Sequence, residues 1–162
     1  MNKNVLVAIA MGSDSDLPVM EEAGKIFDEF GVGYEYKITS AHRSPDQAAN
    51  YIKGLAKRGV QVVIAAASYS AHLPGVAAAN TILPVIGVPL DASPLKGLDA
   101  LFAIGQMPPG IPVATMTIGK AGVKNAAYMA LEILALRDDH LKEKLLQYRK
   151  ELADSVEKKN VK

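Results

Sequence analysis

Cysteine is missing from this chain of 162 residues, which excludes disulfides, thiolate metal sites and a cysteine nucleophile. It also fits a reducing compartment. Charge of one sign is missing too: 18 Lys and Arg stand against 17 Asp and Glu, a formal net charge of +1. A nucleic-acid binder draws its affinity largely from an excess of positive charge, so no nucleic-acid partner is expected. No uninterrupted apolar run of about 18 residues occurs, so no membrane-spanning helix is expected. Met1-Asn2-Lys3-Asn4 leads directly into a strand-like segment without a signal-peptide cleavage pattern. These absences set the expectation of a soluble, cytoplasmic protein. Tryptophan is absent and aromatic residues reach only 6%, although 49% of the chain is hydrophobic. The apolar content is therefore Ala, Val, Ile and Leu, the residues of buried parallel strands and close-packed helices.

What is present alternates. Short apolar runs at residues 5–10, 34–38, 60–67, 84–88 and 113–118 read as strands. Between them, residues 17–30, 45–58, 76–80 and 98–104 carry helical spacing or helical punctuation. In the first helix Val19, Met20, Ala23, Ile26, Phe27 and Phe30 share a face. Strands that are apolar on both sides and alternate with helices form a parallel sheet covered on each face. The right-handed crossover rule makes the expected architecture a three-layer αβα sandwich. With no linker, repeat or low-complexity segment, residues 1–162 are expected to form a single α/β domain.

The C-terminal part, about residues 121–158, reads as a helical extension. Residues 121–136 are polar only at Lys124, Asn125, Glu132 and, in part, Tyr128. A helix that is apolar nearly all round must be buried nearly all round, and burial against another subunit is expected. The following charged helix, about residues 139–157, has Leu141, Leu145, Tyr148, Leu152 and Val156 along one stripe. Two readings stand: packing on a neighbouring subunit, or folding back on its own sheet. A homo-oligomer is expected.

In open α/β sheets, ligands bind beyond the carboxyl ends of the strands. That rule selects residues 11–16, 39–45, 67–75 and 89–96, which also hold two of the three histidines. Gly12-Ser13-Asp14-Ser15-Asp16 is either a capped turn or a loop whose N–H groups and hydroxyls take an anion, with Asp16 or Asp14 on a ribose hydroxyl or orienting a base. In Ser40-Ala41-His42-Arg43-Ser44-Pro45 a hydroxyl, an imidazole and a guanidinium fall within four residues. That set suits an anionic substrate that needs a proton moved, although an exposed turn histidine is also common. His72, in Ser68-Tyr69-Ser70-Ala71-His72-Leu73-Pro74-Gly75, is either a second acid/base or substrate-contacting group or a support for loop backbone. His140 reads as a surface residue.

Other chemistries find no footing. Gly119-Lys120-Ala121 lacks the leading glycine and the closing Ser/Thr of a phosphate-binding P-loop, and no G-x-S-x-G elbow occurs. No G-x-G-x-x-G dinucleotide fingerprint follows the first strand. No second histidine stands at i+3 or i+4 from His42 or His72, so no metal site is expected.

Several of these motifs, in register, resemble class I PurE, the N5-carboxyaminoimidazole ribonucleotide mutases of purine biosynthesis. They are Met11-Gly12-Ser13-Asp14-Ser15-Asp16, Ser40-Ala41-His42-Arg43-Ser44-Pro45 and Ala71-His72-Leu73-Pro74-Gly75. Pro84-Val85-Ile86-Gly87-Val88-Pro89, Gly97-Leu98-Asp99 and the Gln106-Met107-Pro108-Pro109-Gly110 segment through Thr115 extend the likeness over about residues 5–136. The resemblance implies a flavodoxin-like subunit in a homo-octamer, with active sites between subunits and neither metal nor organic cofactor. It implies a carboxylate moved from the exocyclic nitrogen of an aminoimidazole ribonucleotide to a ring carbon, by decarboxylation and recarboxylation with a histidine proton shuttle. By motif match His42 is that catalytic histidine. Ser13, Asp16, Ser40, Ala41, Arg43, Ser68, His72 and Leu73 are the implied substrate-binding residues. Arg43 and Ser40 fall to the phosphate, Asp16 to the ribose, and His72 near the transferred carboxylate.

One stretch departs from the family. Where small residues with glycine are usual, this chain has Ser68-Tyr69-Ser70. These side chains either narrow the pocket and change the ring that fits, or leave it untouched with Tyr69 pointing outward. The alternatives to a mutase are a carboxylase using carbon dioxide and aminoimidazole ribonucleotide directly, and a paralogue acting on a related ring nucleotide. Class II carboxylases typically carry Lys where this chain has Arg43, which favours class I. A non-enzymatic alternative is a flavodoxin-like nucleotide-binding module.

Overall fold

Alternate residues along the strands sort by size, and that sorting builds the layers. In β1 (Val5–Met11), Val7, Ile9 and Met11 face one side of the sheet while Ala8 and Ala10 face the other. The same alternation runs through β3 (Val62–Ala67), where Val62 and Ile64 lie with Ile9, and Val63 and Ala65 lie with Ala8. The computed structural model describes residues 4–159. The start Met1-Asn2-Lys3, read above as leading directly into the first strand, lies outside the described residues.

Five parallel strands form one sheet in the order β2-β1-β3-β4-β5, with β2 at Gly33–Ile38, β4 at Val85–Pro89 and β5 at Ala114–Thr115. Tyr36, Ile9, Ile64, Ile86 and Ala114 stand side by side across it. On the face of larger residues pack α1 (Leu17–Phe30), α5 (Gly119–Ala135) and α6 (Asp139–Glu157), through Phe27, Leu131 and Leu141 among others. On the alanine face pack α2 (Pro45–Leu55), α3 (Leu73–Ala79) and α4 (Leu98–Gly105), through Ile52, Leu55, Leu73, Ala77 and Ile104. This is the three-layer αβα sandwich, with the flavodoxin-like strand order. Among the described residues no helix is long and apolar enough to cross a membrane.

Helix α1 occupies residues 17–30 as its spacing predicts. Pro18 falls in its first turn, where the missing N–H costs nothing. Gly31 ends it in the left-handed region, φ 78°, with its N–H turned back to the Asp28 carbonyl.

Two expectations need correction, and a third is met in part. The strand predicted at 113–118 shrinks to Ala114–Thr115, paired with Ile86 and Gly87. Past Gly87 the neighbouring strand offers Val88 and then Pro89, which has no N–H to give, and the chain leaves toward α5. The helix predicted at 76–80 begins at Leu73, because Pro74 fits a first helical turn instead of blocking it. Helix α5 buries one face within its own chain, where Val123, Ala126, Ala127, Ala130 and Leu131 are fully covered, because its small side chains let it lie close against α1 and the sheet. Met129 and Ile133 are only partly buried and Leu136 is exposed, so the rest of the helix is the part left for the expected subunit contact.

The final helix does two things. Leu141 is buried, and Tyr148 stacks on Tyr128 with ring centroids 4.8 Å apart while presenting its edge to Phe30. Its first half thus folds back on its own domain. Leu152 and Val156, farther along, are exposed.

Candidate active site

The order of the strands reverses at β1, which lies between β2 and β3. A crevice opens at the carboxyl ends of these strands, where the crossovers depart to opposite faces. The loops after β1, β2 and β3 meet there around a cavity of about 440 Å³, a volume suited to a small nucleotide. All nine candidate residues line it: Ser13, Asp16, Ser40, Ala41, His42, Arg43, Ser68, His72 and Leu73. Backbone bonds hold the roots of these loops together. Thr39 N–H donates to the Met11 carbonyl at 2.8 Å, and Leu90 N–H donates to the Ala67 carbonyl at 3.0 Å.

At the centre of the crevice, His42 Nε2 lies 2.6 Å from His72 Nδ1, with the rings edge to face at 73°. Nothing in the local sequence joins them. His42 comes from the turn after β2, and His72 stands immediately before α3. One ring nitrogen donates its proton to the other, so the pair can pass a proton along one hydrogen bond. Both side chains are exposed to the cavity.

Arg43 reaches across to the first loop, where its Nη2 donates to the Gly12 carbonyl at 3.1 Å. Its own N–H donates to Ser40 Oγ at 3.1 Å, and Ser44 Oγ donates to the Ser40 carbonyl at 3.1 Å. The turn therefore fixes Ser40, His42 and Arg43 relative to one another before any ligand arrives. Among the described residues no carboxylate pairs with Arg43, which leaves most of its guanidinium donors available to an anion.

The first loop forms a capped turn and a cavity wall at once. Ser13 Oγ accepts from the Ser15 N–H at 3.3 Å and from Ser15 Oγ at 2.9 Å, while Ser13, Ser15 and Asp16 all line the cavity. Asp16 is buried at the start of α1. Burial pushes its carboxyl above the usual carboxylate range; the Ser13 backbone hydrogen bond opposes this, and the nearby Asp14 charge adds to it.

Candidate residues named from sequence make up only part of the wall. Gly12, Ser15, Ala67, Tyr69, Ser70, Ala71 and Ala92 also line the cavity. Ala92 belongs to the segment after β4 that the strand-end rule selects, but an alanine carries no chemical signal of its own. A larger groove of about 790 Å³ runs along the β5 edge, and among the described residues Lys53 is the one titratable side chain lining it. It offers apolar contact and no acid/base pair. Among the described residues no group of three or more His, Asp or Glu side chains is placed to hold a metal ion.

Fold and crevice together define an α/β protein whose switch-point cavity gathers an arginine and a hydrogen-bonded histidine pair. The chain belongs to the AIR carboxylase family, whose model matches residues 6–155. It is 55% identical over 154 residues to the N5-carboxyaminoimidazole ribonucleotide mutase of Pyrococcus horikoshii, covering 95% of this chain and 86% of that one. The enzyme of the same name from Escherichia coli is 46% identical over 155 residues, covering 96% and 92%. The crystal structure of Treponema denticola PurE superposes with a TM-score of 0.85 at 27% identity, over 94% of each chain.

Proposed function

We propose that this chain catalyses the N5-carboxyaminoimidazole ribonucleotide mutase reaction of purine biosynthesis. The observation that carries the reading is the His42–His72 pair at 2.6 Å, set beside Arg43 in one crevice. Relatives bearing that enzyme name at 46–55% identity support it over the carboxylase and paralogue alternatives. A non-enzymatic binding module would have no need of a proton-passing pair beside its anion site.

The reaction requires two proton movements of opposite sense. Loss of carbon dioxide from the exocyclic nitrogen leaves an electron pair there that takes up a proton. Attack of the ring carbon on carbon dioxide leaves a proton on that carbon which must be removed. One imidazole does both, because each step returns it to the state the other requires. In this reading His42 is that group. His72 lies beside the transferred carboxylate and holds or shares the proton of His42. Arg43 and Ser40 take the phosphate, Asp16 the ribose hydroxyls, and Ser13, Ala41, Ser68 and Leu73 complete the wall. No cofactor or metal enters the scheme.

The same reading places residues 1–162 in one domain, in the cytoplasm, as a subunit of a homo-octamer. Leu95, Leu98, Phe102 and Leu136 are large apolar side chains left exposed on the single subunit, which supports association.

The test is a turnover assay with two substrates. Purified protein is given N5-carboxyaminoimidazole ribonucleotide in one tube, and aminoimidazole ribonucleotide with low bicarbonate in the other, each beside an enzyme-free blank. Rapid ring-carboxylated product in the first tube alone is the expected result. Product in the second tube alone would make the chain a carboxylase.

A further inference from the structure

Tyr69 sits in a backbone conformation that side-chain-bearing residues rarely adopt, φ 56°, and two residues on Ala71 has φ 30°. The loop between β3 and α3 is thereby folded tightly, with the Ala71 N–H donating to the Ser68 carbonyl at 3.1 Å. A strained loop persists only where its surroundings hold it. Burial does not supply the hold, since Tyr69 is 55% exposed. The phenol does: its hydroxyl donates to the Ala92 carbonyl at 3.1 Å, across 23 residues of sequence. Ala92 lies in the loop after β4, and both residues line the cavity that contains His42 and His72. The Leu90–Ala67 bond ties these two loops at their roots. The Tyr69–Ala92 bond ties them a second time, two residues farther out on each loop.

We propose that Tyr69 is a positioning residue whose hydroxyl clasps the β3–α3 loop to the β4–α4 loop and so keeps carbon dioxide in the cavity between its release and its re-addition. This rests on the mutase reading above. In that reaction the bond between the exocyclic nitrogen and the carboxyl carbon breaks, and its electron pair stays on nitrogen, which takes a proton from the acid/base histidine. The ring carbon then bonds to the carbon of carbon dioxide and returns its proton to the histidine. Between the two steps carbon dioxide is neutral and small, and no bond holds it. Its retention depends on the walls. Loops joined only at their roots can part just beyond them, and a second tie farther out narrows that path.

The experiment is single-turnover conversion of unlabelled N5-carboxyaminoimidazole ribonucleotide in buffer containing carbon-13 bicarbonate and carbonic anhydrase, read as label in the ring carboxylate after subtraction of an enzyme-free blank. Wild-type protein should incorporate little label. Tyr69→Phe keeps the ring and loses only the hydroxyl. It should raise incorporation about fivefold, the scale of one lost hydrogen bond, with KM for the nucleotide unchanged within about twofold. Tyr69→Gly suits the left-handed backbone but has no hydroxyl, and it should leak as Tyr69→Phe does. Label exclusion by Tyr69→Phe equal to that of wild type overturns the clasp, and so does a glycine variant as tight as wild type. A wild-type protein that forms no ring carboxylate overturns the mutase reading, and the clasp with it.

Discussion

His42 Nε2 and His72 Nδ1 are 2.6 Å apart, although 30 residues of sequence, a helix and a strand separate them. Each stands on a loop whose root is bonded to the neighbouring strand, so their contact follows from the strand order and not from local sequence. If His42 is the proton shuttle, His42→Asn should lower turnover by about 10²–10⁴-fold, the usual contribution of a positioned acid/base group. Because the His42 side chain is exposed, melting temperature and sedimentation should match wild type. Turnover within a few-fold of wild type would remove His42 from the mechanism.

Glu22 on α1 joins Lys25 on its own helix to Lys120 and Lys124 on α5. Hydrogen bonds from Lys25 first, then Lys120, with Lys124 contributing less, hold its carboxyl at about 2, against an ordinary value of 4.5. A folded-state value below the unfolded one adds stability above pH 4.5, and that stability is lost as pH falls through about 2. Solvent and salt screen such a group, so the effect is modest. Glu22→Gln should melt below wild type at pH 7, and the two melting temperatures should converge as the pH approaches 2. A constant difference across that range would mean the charge cluster is not the cause.

Gly122 on α5 has no room for a side chain. A Cβ there would strike the Thr117 carbonyl oxygen, with the carbonyl carbon 2.8 Å away, and both are backbone atoms that cannot swing aside. Alanine favours a helix over glycine by about 1 kcal/mol, whereas overpacking costs about 1–3 kcal/mol, more when backbone must move. The clash should win. Gly122→Ala is therefore expected to lower the denaturation midpoint, and a raised midpoint would show that the turn before α5 yields freely.

The end of α6 offers a separation of folding from assembly. Removing residues 152–162 leaves Leu141 and Tyr148 in their places on Phe30 and Tyr128, but takes away the exposed Leu152 and Val156. Melting of the isolated fold should change little, while analytical ultracentrifugation should show a smaller assembly. An unchanged sedimentation coefficient would exclude this segment from the subunit contacts.

The sequence by itself determined the elements whose signals are local. The bounds of α1 and α6, the layered architecture and the four loops at the strand ends all follow from apolar period, punctuation and the strand-end rule. Seven of the nine candidate site residues were legible for the same reason, as polar side chains in loops that the rule selects, whereas Ala41 and Leu73 followed only from the motif resemblance. Tertiary structure alone decided which of them touch. The length of β5 depends on what β4 offers as a partner, and the burial of α5 depends on how closely small side chains let it approach its own sheet. The His42–His72 bond, the Glu22 cluster and the clasp from Tyr69 to Ala92 each join loops or helices remote in sequence. Periodicity reports which face of an element is apolar; only the packed sheet sets which side chains from different elements come within hydrogen-bond reach.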